Sequence, residues 1–184
     1  IAALYHDIED YVNVDEVRRL AGLYKWRQCD SIISLGGGAI LNTAKALAVE
    51  VSEGNDTNQM HIDTPLTPII YIATPHVDGY EVTCSVNIDG KRYHSLYLYP
   101  DIVCIDSKVV TLKGTEKDVI YASLDSLAHC IEGASQEPHN PFADASAFTA
   151  IRLIADNFLE FAKKPKSRKS ALALLNGIAV AGTV

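Results

Sequence analysis

The stretch Asp30 to Lys45, D-S-I-I-S-L-G-G-G-A-I-L-N-T-A-K, places a short apolar run before three glycines and an amphipathic segment after them. The apolar run at 32–35 is typical of a parallel strand that is covered on both faces. Small and apolar residues then recur at helical spacing, which predicts a helix over 39–51. The stretch therefore predicts a strand, a glycine turn and a helix within an α/β domain.

The three glycines, Gly36, Gly37 and Gly38, indicate a site for a nucleotide phosphate. A backbone without side chains can approach a ligand closely, and the free N–H groups and dipole at the start of the next helix favour an anion. The spacing is not G-x-G-x-x-G, so a dinucleotide site here differs from the common Rossmann type. The alternative is a connection that needs glycines for packing alone.

Composition and charge exclude several other classes of protein. The chain has 184 residues, of which 48% are hydrophobic, and a formal net charge of -7, which disfavours a nucleic-acid partner. The one basic run, at 163–169, reads as a loop between helices. No stretch approaches the roughly 18 apolar residues that a membrane-spanning helix needs, so no membrane partner is expected.

The cysteines indicate the cellular compartment, and the chain ends indicate whether the sequence is a segment of a longer polypeptide. Cys29, Cys84, Cys104 and Cys130 form no C-x-x-C pair and no signal peptide precedes them, which favours a cytoplasmic protein. The chain opens on Ile1 without an initiator methionine and closes at Val184 inside an apolar run. Both termini look cut, so we expect a segment of a longer polypeptide.

Alternating helix and strand patterns in the first half and helical patterns in the second predict two domains, 1–110 and 111–184. We expect a helix at 15–24, strands at 67–72 and 101–106, a hairpin of 82–88 with 95–99 around Asp89-Gly90, a turn over 107–114, and helices at 116–134, 140–161 and 167–180. The fold class that follows is an α/β nucleotide-binding domain followed by an all-helical domain.

A second chemical feature lies in the first of those helices, where Asp125 and His129 are four residues apart. Side chains at this spacing lie on one face of a helix. A carboxylate and an imidazole are half of a divalent-metal site and suit zinc or iron better than calcium. A simple ion pair is the alternative. Apolar neighbours such as Leu124, Leu127 and Ile131 predict that the pair is buried.

In order and separation, these motifs resemble those of the iron-containing alcohol dehydrogenase family. The motifs that carry the resemblance are Ser34-Leu35-Gly36-Gly37-Gly38, Thr43-Ala44-Lys45, Glu81-Val82-Thr83, Pro100-Asp101, Ile105-Asp106 and the run from Asp125 to Glu132. The resemblance implies a dehydroquinate-synthase-like fold, in which an N-terminal α/β domain binds NAD or NADP and a helical metal-binding domain holds one ion, Fe2+ or Zn2+. The implied catalytic cleft lies between them.

The resemblance also implies an activity and a set of site residues. The activity is hydride transfer between a small alcohol or aldehyde and NAD(P), in a protein expected to be a homo-oligomer. Asp125 and His129 would be catalytic metal ligands, and the family takes two further histidines from beyond Val184. The implied cofactor-binding residues are Gly36, Gly37, Gly38, Asn42, Thr74 and Lys91, with Arg92 as an alternative to the last.

Two departures from the family pattern qualify this prediction. The loop from Thr74 to Tyr80, T-P-H-V-D-G-Y, stands where the family has a run resembling T-T-A-G-T-G-S, which predicts altered cofactor geometry or an unusual substrate. Asn42 stands where the family usually has Asp. Three functions remain open: an iron-type alcohol dehydrogenase, a related zinc polyol dehydrogenase or dehydroquinate-synthase-like lyase, and a catalytically silent nucleotide-binding module.

Overall fold

A computed structural model describes residues 3–8, 11–53, 62–74, 79–110 and 116–184. In these residues, helices and strands share the first half of the chain, and helices make up most of the second half. The helices are α1 (Val14–Trp26), α2 (Gly38–Glu53), α3 (Ser107–Val110), α4 (Glu116–Ala134), α5 (Pro141–Lys163) and α6 (Arg168–Ala181). The strands are β1 (Ile32–Gly36), β2 (Ile69–Ala73), β3 (Ser85–Ile88), β4 (Lys91–His94) and β5 (Ile102–Cys104).

The chain divides into two compact units, and the strands belong chiefly to the first. Unit 1 is Ile1–Ile72 with Cys84–Val103, and unit 2 is Ala73–Thr83 with Cys104–Val184. The predicted boundary near residue 110 stays a prediction. In the part of the chain that the structure describes, no helix is both long and apolar enough to cross a bilayer.

Unit 1 contains a three-stranded sheet in the order β1-β2-β5. Helices α1 and α2 pack against each other beside this sheet, because apolar residues at helical spacing give each helix an apolar face. The shared core consists of Leu20, Ala21, Ile32, Ala44, Leu47, Ala48 and Ile69. Asp101 joins β5 to β2, since its carboxylate accepts from the Ile69 N–H at 2.9 Å and its own N–H donates to the Ile69 carbonyl at 3.0 Å.

The prediction that β1 is covered on both faces is wrong for this structure. Ile32 and Ser34 are buried, but Ile33 is 68% exposed and Leu35 is 55% exposed. The apolar run therefore has one covered face, with α2 packed against it, and one open face. Strand β1 is also at the edge of its sheet, because β2 is its one partner in the described sheet.

The hairpin forms around Asp89-Gly90 as predicted, but its arms are shorter and the second arm lies elsewhere. Asp89 and Gly90 have φ values of 48° and 75°, which a type I′ turn requires, and Ile88 pairs with Lys91. The second strand is therefore β4 rather than 95–99. Ser95 ends it, because its hydroxyl accepts from the Tyr97 N–H and donates to the Ile62 carbonyl, which leaves 96–98 as a 3₁₀ turn.

Unit 2 is built on three long helices whose predicted positions are confirmed. Asn140 and Ser167 cap α5 and α6 by accepting backbone N–H groups, and Pro141 takes the first helical position of α5. The basic run connects α5 to α6, as expected. The largest core side chains are Ile154, Phe161, Leu174, Leu175 and Ile178. The predicted turn over 107–114 is wrong at its start, which forms α3, and 111–115 lie outside the described residues.

Two glycines make a close backbone contact within unit 2. Gly79 has a φ of 83° and caps the 3₁₀ turn at Tyr80–Val82, and the end of α6 packs against it at Gly182. A methyl group at Gly182 would overlap the Gly79 backbone, which cannot move as a side chain can. This contact joins the segment after β2 to the last helix.

We expect Gly182→Ala to lower the free energy of unfolding by about 1–3 kcal/mol, because the added methyl overpacks a backbone contact. Gly22→Ala in α1 is the matched control, since nothing lies within 4 Å of its added methyl. That control should raise stability by about 0.4–1 kcal/mol. Urea unfolding measures both changes, and a Gly182→Ala variant as stable as wild type would show that the contact relaxes without cost.

Candidate functional site

The three glycines of the predicted phosphate site lie together at the connection between β1 and α2. Strand β1 ends at Gly36 and α2 begins at Gly38, with the Leu41 N–H donating to the Gly37 carbonyl at 3.1 Å. The N–H groups of residues 38–40 therefore precede the first hydrogen bond inside the helix. Such N–H groups and the helix dipole suit an anion, so the turn fits the phosphate site that its sequence predicts.

Gly36 has a local reason to be glycine. A Cβ at this position would overlap the side chain of Ile40, in the first turn of α2. Its carbonyl oxygen accepts a hydrogen bond of 2.5 Å from the hydroxyl of Tyr71, and Tyr71 is 1% exposed in the middle of β2. A neighbouring strand thus fixes the first peptide group of the turn from inside the protein.

Asn42 lies one turn into α2 and is 8% exposed. Its amide nitrogen donates to the Gly38 carbonyl at 3.0 Å, and its amide oxygen accepts from the Asn87 N–H, also at 3.0 Å. The side chain thus links the glycine turn to strand β3. Direct contact between Asn42 and a cofactor stays a prediction.

Lys45 is a residue to which the sequence analysis gave no role. It is fully buried, and its Nζ donates to the Ser85 carbonyl at 3.0 Å, so it makes a second link from α2 to β3. A lysine among the apolar positions of a helix is the signal that could have revealed it, since a buried ammonium group requires hydrogen-bond partners.

The other two predicted cofactor residues lie in different units. Lys91 is exposed at the start of β4 and pairs with Ile88, in the hairpin that Asn42 and Lys45 hold against α2. Thr74 follows β2, is half-buried and belongs to unit 2. The structure therefore brings the glycines, Asn42 and the Lys91 hairpin into one unit. The altered loop residues 75–78 lie outside the described residues.

Asp125 and His129 lie one turn apart on α4, as predicted, but the prediction that they are buried is wrong. Both are exposed, together with the neighbouring Leu124 and Ile131. Helix α4 packs against α5 and α6 through its opposite face, which includes Val119, Ser123, Ser126 and Cys130. The apolar neighbours of the pair therefore share its open face and do not cover it.

A cavity of about 360 Å³ adjoins His129. Its lining comes from the end of α4, the connection to α5 and the end of the chain: His129, Glu132, Gly133, Gln136, Pro138, Asn140, Ala143 and Val184. Within 3–8, 11–53, 62–74, 79–110 and 116–184, no group of three or more His, Cys, Asp or Glu side chains could hold a metal ion. Asp125 and His129 thus supply two donors, short of the three or four of a zinc site.

Cys130 follows His129 in sequence but offers no thiolate to such a site. It is fully buried against Ala147 and Ala150 of α5 and Ala181 of α6. Burial raises the pKa of the Cys130 thiol, which favours the protonated form. A metal ion on the exposed face of α4 would therefore be bound by oxygen and nitrogen donors from this helix.

Comparison with known proteins identifies what this arrangement is similar to. A family model described as iron-containing alcohol dehydrogenase matches residues 1–107, more than half of the chain. The chain is 27% identical over 149 residues to an NAD-dependent methanol dehydrogenase of Bacillus methanolicus, which covers 76% of this chain and 39% of that protein. The chain thus spans less than half the length of that relative.

Solved structures share the fold over nearly the whole chain. A 1,3-propanediol oxidoreductase superposes with a TM-score of 0.87 at 23% identity, covering 98% of this chain and 50% of that one. A sulfoacetaldehyde reductase of Bifidobacterium kashiwanohense, solved with NAD+, superposes with a TM-score of 0.84 at 22% identity, covering 98% of this chain and 51% of that one. At these identities the likeness establishes the fold.

Proposed function

The chain belongs to the iron-containing alcohol dehydrogenase family, and from that membership we propose that the protein is an NAD(P)-dependent alcohol dehydrogenase or aldehyde reductase. Its substrate is a small alcohol or aldehyde, and one divalent metal ion, Fe2+ or Zn2+, takes part. The observation that carries the proposal is the glycine turn at the start of α2, whose open N–H groups and missing Cβ at Gly36 suit a nucleotide pyrophosphate.

The residue roles that we propose are those that membership of the family suggests. The turn Gly36-Gly37-Gly38 binds the cofactor phosphates, with Thr74 and Lys91 as further contacts. Asp125 and His129 hold the metal ion from one face of α4, where both side chains are exposed. When bound, the nicotinamide supplies or accepts the hydride, and the divalent ion supplies Lewis-acid polarisation of the alcohol or carbonyl oxygen.

The two donors on α4 fit part of a metal site. A carboxylate and an imidazole on one helix face match the donor types that zinc and iron accept. The remaining donors are proposed to come from outside the described residues. We also propose a homo-oligomeric, cytoplasmic enzyme; the free state of Cys29, Cys84, Cys104 and Cys130 supports the compartment.

A catalytically silent nucleotide-binding module is the second candidate. The observation in its favour is the incomplete donor set, since the described residues bring two potential metal ligands together on α4 and no third. A zinc polyol dehydrogenase or a dehydroquinate-synthase-like lyase would share both the turn and the metal helix. These candidates differ in metal content and in the reaction they catalyse.

The test uses the longest polypeptide that carries this sequence. NADH and NADPH are titrated by fluorescence, bound metal is measured by elemental analysis, and cofactor consumption is followed with a panel of short aldehydes. We expect NADH or NADPH binding, one iron or zinc per chain, and turnover that a chelator removes. Nucleotide binding without metal or turnover would favour the silent module, and the absence of nucleotide binding would overturn both.

A further inference from the structure

Two carbonyl groups of the glycine turn accept hydrogen bonds inside unit 1, one from Tyr71, which is not among the predicted cofactor contacts, and one from Asn42, which is. Tyr71 donates to the Gly36 carbonyl, and Asn42 donates to the Gly38 carbonyl. We propose that Tyr71 and Asn42 are positioning residues that fix the turn in its phosphate-binding conformation. This inference rests on the proposed function, because it assigns the two residues to the cofactor site named there.

The argument begins with the planar trans peptide group, in which C=O and N–H point in opposite directions. Fixing the Gly36 carbonyl inward therefore directs the Gly37 N–H the other way. The Gly38 carbonyl lies within α2, where helix geometry already directs the Ala39 N–H towards the start of the helix, and the Asn42 amide gives this carbonyl a second donor. Tyr71 thus sets the direction of one N–H group that an anion would meet, and Asn42 reinforces the direction of another.

Three consecutive glycines make such fixation necessary. Glycine has more backbone freedom than any other residue, so an unrestrained G-G-G turn would lose that freedom when it binds a ligand. A binding element that is already ordered avoids this entropic cost. The Tyr71 hydroxyl is well suited to the task, since its ring is 1% exposed and cannot easily turn to water.

The two hydrogen bonds of the Asn42 side chain explain why an amide suits this position, where the family pattern has Asp. A carboxylate could accept from the Asn87 N–H as the Asn42 oxygen does, but it has no N–H to donate to the Gly38 carbonyl. The neutral amide satisfies both partners.

Two variants and two matched controls test the proposal in the longest polypeptide that carries the sequence. Tyr71→Phe removes one donor with little change in volume, and Asn42→Ala removes the amide that donates to the Gly38 carbonyl. Tyr24→Phe removes the 2.7 Å hydrogen bond between Tyr24 and Thr67, also in unit 1. Asn157→Ala removes a 2.8 Å amide-to-carbonyl bond to Leu153, four residues back in α5, just as Asn42→Ala removes the bond to Gly38 in α2.

We expect Tyr71→Phe to raise the Kd for NADH about tenfold and Asn42→Ala to raise it by a similar factor, whereas the controls stay within about twofold of wild type. The KM for the cofactor should rise in parallel, while kcat at saturating cofactor and the KM for the alcohol stay unchanged. A merely structural role would lower the active fraction, and hence kcat, without altering the Kd. Urea unfolding reports the stability of all four variants.

The outcomes separate this inference from the function on which it rests. Wild-type protein that binds NADH, with both variants folded and binding it equally well, overturns the positioning role alone. Wild-type protein that binds neither NADH nor NADPH overturns the proposed function and this inference together. If one variant does not fold, the other decides, because Tyr71 acts on Gly36 from β2 and Asn42 acts on Gly38 from α2.

Discussion

His129→Ala is expected to lose its bound metal and its turnover together. The described residues bring two potential ligands together on α4, and this change leaves the Asp125 carboxylate alone. Loss of an outer-shell partner already weakens metal binding about 10- to 100-fold, and loss of a direct ligand should weaken it at least as much. NADH binding should persist, because the glycine turn is built from residues of unit 1.

The measurement combines elemental analysis with NADH titration and aldehyde reduction. His94→Ala is the matched control, since His94 is also an exposed histidine but lies at the end of β4. That control should keep wild-type metal content and turnover. Full metal occupancy in His129→Ala would remove α4 from the proposed metal site, and loss of NADH binding would indicate that the change disturbs more than a ligand.

Features that depend on nearby residues could be predicted from the sequence. The three long helices of unit 2 begin and end within two residues of their predicted limits, because capping residues and helical periodicity are local signals. The glycine turn could be predicted equally well, since an apolar run, three glycines and an amphipathic run follow one another directly in the sequence. The position of β4 could also have been found, because a two-residue turn starts the next strand at Lys91.

Burial could not be predicted in the same way, because it depends on what packs against each face. The run around Ile33 and Leu35 and the run around Asp125 and His129 both have the composition of covered segments. In the structure one face of each element is packed, and the other is open. Composition shows that a segment can be buried, whereas the number of faces covered is decided by distant parts of the chain.

The side chains that hold the glycine turn could not be predicted from the sequence for the same reason. Tyr71 lies 35 residues from Gly36 in sequence, and Asn42 lies 45 residues from Asn87. No periodicity relates such positions, and a tyrosine in an apolar strand predicts packing at least as well as a hydrogen bond. The sequence thus located the proposed phosphate site, while the side chains that hold its backbone emerged from the tertiary structure.

Gly36→Ala is expected to weaken NADH binding by more than about tenfold and to lower the free energy of unfolding by about 1–3 kcal/mol. The added methyl would overlap the Ile40 side chain, which lies in the first turn of α2. Either Ile40 must leave its rotamer or β1 and α2 must separate, and a separation would move the Gly36 carbonyl away from the Tyr71 hydroxyl. The turn would then lose its fit to a phosphate.

A second change distinguishes this steric cause from any other effect of the substitution. In an Ile40→Ala background the Cδ1 atom that the new methyl would overlap is gone, so Gly36→Ala should cost little further NADH affinity there. The four proteins form a double-mutant cycle, measured by NADH titration and urea unfolding. A coupling free energy near zero would mean that Ile40 is not what requires glycine at position 36. A large coupling would establish that the packing of α2 against β1 sets the geometry of the phosphate site.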